Sequence, residues 1–85
     1  MKIILHKHFE RQYKKLRPGK RKRFKERKDI FLQDPYHPTL NNHPLQGRYK
    51  GYRSINVGGD LRAIYELIGD DTAYFVAIDT HSKLY

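Results

Sequence analysis

Two short clusters, Gly58-Gly59-Asp60 and Gly69-Asp70-Asp71, cut the second half of the chain into three segments dominated by tyrosine and β-branched residues. Glycine and aspartate tolerate the backbone angles of tight turns, so segments divided in this way pair as hairpins. The spacing predicts three strands near residues 50–57, 61–68 and 72–80, arranged as an antiparallel meander. A short apolar run over 2–5 is suited to a further, buried strand. Between that run and the meander, Phe9, Tyr13 and Leu16 recur at the spacing of one helical face, and the segment stops at Arg17-Pro18-Gly19. Pro18 suits the first residue of a second helix, because its missing N–H would have had no partner there. Phe24, Arg27 and Phe31, with Ile30 alongside, continue a narrow apolar stripe until Asp34-Pro35 ends it. Residues 35–47, with Pro35, Pro38, Pro44 and Gly47, read as an ordered loop. The expected fold is α+β in the order β-α-α-β-β-β. A helical hairpin packs on one face of a small, mainly antiparallel four-stranded sheet, and the other face stays open for a ligand.

At 85 residues the chain has material for one domain, spanning 1–85, and for one helix layer on one sheet. It has no cysteine, which fits a reducing cytoplasm and excludes disulfides and thiolate zinc sites. The opening apolar run is too short for a signal peptide, and no segment approaches the roughly 20 apolar residues of a membrane span. The expected setting is therefore cytoplasmic, without membrane contact. Charge is concentrated: 13 of the 18 Lys and Arg fall in residues 1–33, and the run 20–28 sets seven bases against one acid. A localised basic face is the electrostatic footprint of a protein that binds a polyanion.

Five histidines offer chemistry: His6, His8, His37, His43 and His81. His6 and His8 form an H-x-H pair, but neither cysteine nor a carboxylate pair completes a metal site, so no metal or other cofactor is expected. His37, between Tyr36 and Pro38, fits a turn. His43 and His81 adjoin the expected sheet end, where a loop and the last residues converge. Asp60 and Arg62 flank Leu61 and share a strand face. With His81 they supply a carboxylate, a guanidinium and an imidazole, the groups needed to move protons and hold charge while a phosphodiester is cleaved. On RNA the nucleophile is the neighbouring 2′-hydroxyl.

Three motifs, His43-Pro44-Leu45-Gln46-Gly47-Arg48-Tyr49-Lys50-Gly51-Tyr52-Arg53, Gly59-Asp60-Leu61-Arg62-Ala63-Ile64-Tyr65 and Thr80-His81-Ser82-Lys83-Leu84-Tyr85, resemble the YafQ-like branch of the RelE/ParE toxin superfamily. The resemblance spans the chain and implies a single RelE-like toxin domain. It also implies a ribosome-dependent endoribonuclease that cuts messenger RNA in the A site and is silenced by a cognate antitoxin, monomeric when free and a heterotetramer or larger with that antitoxin. Position by position, His43, Asp60 and His81 match the pattern's loop histidine, acid and C-terminal histidine. Arg62 matches the phosphate-holding arginine of RelE-like members, and Tyr85 matches the terminal aromatic. Asn56 and Leu61 depart from it, standing where the pattern often has histidine and tryptophan. The expected RNA-binding cations are Lys20, Arg21, Lys22, Arg23, Lys25, Arg27 and Lys28, with Arg48, Lys50 and Arg53 from the first motif. Two alternatives share the fold: a ParE-like toxin directed at gyrase, and a non-catalytic RNA- or ribosome-binding module.

Overall fold

The computed structural model describes residues 1–84. Strand β1 (Lys2–Leu5) leads into helix α1 (Lys7–Lys14), and after a three-residue link helix α2 runs from Pro18 to Gln33. His6 caps α1, its Nδ1 accepting the His8 N–H at 3.0 Å, and Pro18 opens α2 as expected. Phe9, Phe24 and Phe31 are buried from these two helices and meet Phe75 of the sheet, with ring centroids 5.6–5.8 Å apart in edge-on contacts.

The remaining strands are β2 (His43–Pro44), β3 (Arg53–Gly58), β4 (Leu61–Ile68) and β5 (Thr72–Thr80), followed by a single helical turn, α3 (His81–Leu84). The sheet has five strands in the order β1-β5-β4-β3-β2; β1 runs parallel to β5 and every other pair is antiparallel. The expected four-stranded sheet therefore gains β2, a two-residue edge strand in the proline-rich loop. Pro44 is tolerated there because an edge position does not need every ladder hydrogen bond. The third strand starts at Arg53 rather than near residue 50, because residues 47–49 form a 3-10 turn and Gly51 has φ +93°.

Two bulges reset the strand register. Arg53 to Asn56 pair with Tyr65 to Arg62, but Gly58 then pairs with Leu61, so Val57 is extra. Likewise Tyr65 pairs with Phe75 and Ile64 with Ala77, leaving Val76 extra and setting Arg62 opposite Asp79. Bulges of this kind re-aim side chains beyond them. Where β1 stops at Leu5 the edge of β5 would be left unpaired, and Gln12 of α1 takes over: its Oε1 accepts the Ile78 N–H at 2.9 Å.

The sheet face away from the helices is not open, contrary to expectation. Leu45, Ile64, Ala77 and Leu84 form a second apolar cluster there, with Tyr49, Tyr52 and Val76 packed against it. The C-terminal segment carries this correction: the chain does not end as strand but turns at His81 and buries Leu84. Burying a leucine is favourable by about 1.5–3 kcal/mol, enough to hold a single helical turn that would not form alone. Among the described residues no helix is long and apolar enough to cross a membrane.

Candidate functional site

Alternation along the strands sorts the polar residues. Ile55 and Val57 point to the helix layer, so Ser54 and Asn56 take the opposite face, along with their partners Ile64 and Arg62. Two rows result on that face. One runs His43, Ser54, Ile64, Ala77; the next, nearer the β3–β4 turn, runs Asn56, Arg62, Asp79.

Arg62 is fixed by its own sheet end. Its Nη1 donates to Asn56 Oδ1 at 3.1 Å, to the Gly59 carbonyl at 2.9 Å and to the Leu61 carbonyl at 3.1 Å. Three acceptors on one nitrogen restrain the guanidinium, whose planar fork is suited to a phosphate. Asp60 lies in the turn itself, just before β4 starts. Its backbone carbonyl accepts the His81 N–H at 2.8 Å, tying α3 to the β3–β4 turn. The half-exposed Asp60–Arg62 salt bridge that such a pair often makes is absent: among the described residues the Asp60 carboxylate has no hydrogen-bond or ion-pair partner. Asp60, Arg62 and His81 thus gather at one end of the sheet, with the His81 side chain exposed.

His43 shares the face but sits one row inward and two strands across. With strands about 4.8 Å apart and a rise of about 3.4 Å per residue, its Cα is roughly 12 Å from that of Arg62. Its Nδ1 lies 2.7 Å from the Asn41 carbonyl. A carbonyl only accepts, so Nδ1 carries the proton and, in the neutral ring, Nε2 presents the lone pair. His6 and His37 show the opposite pattern: each Nδ1 accepts a backbone N–H two residues on, the local turn role expected of His37. Tyr85 lies outside the described residues. Ser54, fully buried beside His43, has no hydroxyl partner among the described residues. No group of three His, Cys, Asp or Glu side chains able to hold a metal ion occurs among them either.

Several of the expected RNA-binding cations already have internal partners. Arg48 Nη2 donates to the Leu84 carbonyl at 3.2 Å, capping α3, and Arg27 Nε donates to the Val57 carbonyl at 3.2 Å, docking α2 on the sheet. Arg53 Nε donates to Asn42 Oδ1 at 2.8 Å and its guanidinium covers the Tyr36 ring, while Arg21 donates to the Leu16 carbonyl. Asn42 also donates, at 2.7 Å, to the hydroxyl of Tyr65, which burial pushes to a raised pKa against the smaller opposing effect of that hydrogen bond. Asn56 and Asp79 were not among the expected site residues. Counting outward from the Gly69 turn without a bulge sets Ile78, not Asp79, opposite Arg62, so the register shift had to be known first.

A helical hairpin laid on a mixed five-stranded sheet is the architecture of RelE/ParE-type toxins. Over residues 1–85 the chain matches the family described as bacterial toxin of type II toxin-antitoxin system, YafQ, and it belongs to that family. Among solved structures it is similar to YafQ from Escherichia coli strain BL21(DE3), at 27% identity and TM-score 0.79, covering 98% of this chain and 96% of that one. It is similar too to the E. coli DinJ–YafQ toxin–antitoxin complex, at 27% identity and TM-score 0.76, covering 98% of this chain and 94% of that one. The archaeal RelE–RelB complex from Pyrococcus horikoshii OT3 shares the fold at 21% identity and TM-score 0.76, covering 96% of each chain. A search of curated proteins found no match.

Proposed function

We propose that this toxin is a ribosome-dependent endoribonuclease that cleaves messenger RNA in the A site, with a cognate antitoxin as its inhibitor. The observation that carries the reading is the gathering of His81, Asp60 and Arg62 at one sheet end, fixed by the His81–Asp60 backbone hydrogen bond and the triply held Arg62 Nη1.

In the proposed reaction the 2′-hydroxyl loses its proton to a side-chain base and its oxygen attacks the adjacent phosphorus. The P–O5′ bond breaks as the 5′-oxygen takes a proton from a side-chain acid, leaving a 2′,3′-cyclic phosphate and a 5′-hydroxyl. Arg62 holds the charge that builds on the non-bridging oxygens, where a preoriented cation stabilises the transition state more than the ground state. His81 is the principal acid/base group. His43, with Nε2 presenting a lone pair, and Asp60, whose carboxylate has no partner among the described residues, orient or share protons. Tyr85 stacks on a base or lies close to the 2′-hydroxyl. Side chains supply every proton transfer and the charge stabilisation, so the proposed reaction calls on no metal.

The antitoxin assignment draws on the similarity to the E. coli protein solved bound to DinJ. The deciding experiment is primer extension on messenger RNA bound to purified ribosomes, with a gyrase supercoiling assay in parallel. New 5′ ends within the A-site codon support the reading; loss of supercoiling with intact RNA selects the gyrase-directed alternative.

A further inference from the structure

The cations divide into two populations. Arg21, Arg27, Arg48, Arg53 and Arg62 all donate within the fold. The other thirteen Lys and Arg side chains have no hydrogen bond or ion pair among the described residues, and Lys15, Arg17, Lys20, Arg23 and Lys83 are five of them, all exposed. These five converge on one place. Two adjoining cavities, about 500 and 450 Å³, lie where the α1–α2 hairpin faces the β3–β4 turn and the end of β5, and they share Arg17, Lys20 and Leu61. Lys15 and Lys83 line the first and Arg23 the second.

We propose that this groove is a track for the sugar–phosphate backbone of single-stranded RNA flanking the cleaved bond, running on the helix side of the sheet end that carries Arg62 and meeting it at Asp79. The inference rests on the endoribonuclease reading for its substrate and adds residues, Lys15, Arg17 and Lys83, that lie outside the basic run 20–28.

Three observations carry it. The first is charge: among the described residues five cations without a partner meet one carboxylate, Asp79, whose oxygens already accept from the Thr80 N–H at 2.8 Å and from Gln12 at 3.5 Å. Cations left unneutralised in a concave site concentrate field there, and a phosphodiester chain relieves their mutual repulsion. The second is position. The groove's rim includes Thr80, Lys83 and Gly59, which flank His81 and Asp60 in sequence, so a strand leaving the catalytic end enters it directly. The third is the nature of the lining. Leu61 and Ile78 on its floor are only 3% and 1% exposed and Leu16 is half-buried, so no large apolar side chain stands exposed in the groove as an anchor for a partner helix. The exposed apolar side chains Met1, Ile4, Leu67 and Ile68 lie toward the opposite end of β4 and β5.

Gly58 keeps the groove open. A Cβ there would fall 2.6 Å from Arg23 Nη1 and 3.1 Å from its Cγ, so glycine lets the Arg23 side chain lie across the turn. The run 20–28 is thereby split: Lys20 and Arg23 line the groove, and the rest of the run does not.

The test is fluorescence anisotropy of a labelled single-stranded RNA with 2′-O-methyl riboses, which cannot be cut, titrated with salt. Lys15→Gln/Lys20→Gln is compared with Lys7→Gln/Lys14→Gln, which removes the same charge from α1 outside the groove. The groove pair should lower the log–log salt slope by about 1.4, two phosphate contacts at roughly 0.7 each, and the α1 pair should leave it near the parent value. An equal loss from both pairs, or none from the groove pair, overturns the track. An unchanged RNA slope with lost binding of a polyglutamate peptide also overturns it and makes the groove an acidic-peptide dock. The two readings fail separately. A parent protein that binds RNA through the groove yet leaves ribosome-bound messenger RNA intact refutes the nuclease and keeps the track. Cleavage by a groove variant with unaltered RNA binding refutes the track and keeps the nuclease.

Discussion

Asn56 holds Arg62 in place. One amide oxygen accepts both the Arg62 guanidinium at 3.1 Å and the Gly58 N–H at 3.0 Å, so it ties the arginine to the bulge that shapes the β3–β4 turn. A residue that reads in sequence as a lost histidine thus positions the cation proposed to hold the phosphate. Asn56→Ala should lower kcat for messenger RNA cleavage about tenfold with little change in KM, because a misplaced charge is felt mainly in the transition state. Arg62→Ala should cost roughly 10²–10³. The double variant should be no slower than Arg62→Ala alone; a fully multiplicative loss would show that Asn56 acts independently of Arg62.

The C-terminal turn is held by Leu84, 4% exposed in the second apolar cluster, and by the Arg48 hydrogen bond to its carbonyl. Because α3 carries His81, loosening it should cost activity before stability. Leu84→Ala should weaken turn docking by about 2 kcal/mol, at the low end for a leucine truncation because a terminal turn can fray locally. The expected result is a substantial loss of cleavage with a melting temperature lowered by only a few degrees. Hydrogen exchange checks the cause: the His81 N–H, bonded to Asp60, should lose protection while the β4 and β5 amides keep theirs.

Tyr65 makes stability sensitive to alkali. Its raised pKa, caused first by burial, means that the folded state holds the phenolic proton more tightly than the unfolded chain does. The associated stability is complete below the unfolded value near 10 and is lost as pH rises through the folded one. Tyr65→Phe should therefore melt less steeply with pH above about 10 than the parent. At neutral pH it should be destabilised by about 1 kcal/mol, through loss of the 2.7 Å hydrogen bond from Asn42. Parallel pH dependence in thermal melts of the two proteins would contradict this assignment.

Most of the fold was legible because the periodicities were clean. The apolar run 2–5, the Phe9–Tyr13–Leu16 face, Pro18 at the start of the second helix and the two Gly-Asp turns predicted elements that are observed with their expected ranges or close to them, although β1 is a sheet edge with Ile4 exposed and not the buried strand expected. What sequence could not supply came from pairing. A two-residue strand such as His43–Pro44 has no periodicity to detect, and it exists because β3 offers an edge. The bulges at Val57 and Val76 leave no mark in residue type, yet they decide that Asn56 and Asp79 rather than apolar neighbours flank Arg62. The internal roles of Arg27, Arg48 and Arg53 were hidden for a related reason: an arginine that caps a carbonyl reads the same in sequence as one that binds a phosphate.

His81 is the residue whose substitution bears most directly on the proposed chemistry. Its side chain is exposed, and its link to Asp60 runs through the backbone N–H, which alanine retains. Alanine is also the strongest helix former, so α3 and the Leu84 contact should survive His81→Ala. Circular dichroism, melting temperature and antitoxin capture should match the parent. Cleavage of ribosome-bound messenger RNA should fall by roughly 10²–10⁴ in kcat and kcat/KM together, the signature of a proton-transfer group lost from the transition state. Affinity for the uncleavable RNA should be unchanged, which separates this role from that of Lys15 and Lys20 in the groove. If His81→Ala cuts at the parental rate, the principal acid/base group lies elsewhere. The Asn41-oriented His43, with Nε2 presenting its lone pair, is then the first residue to substitute.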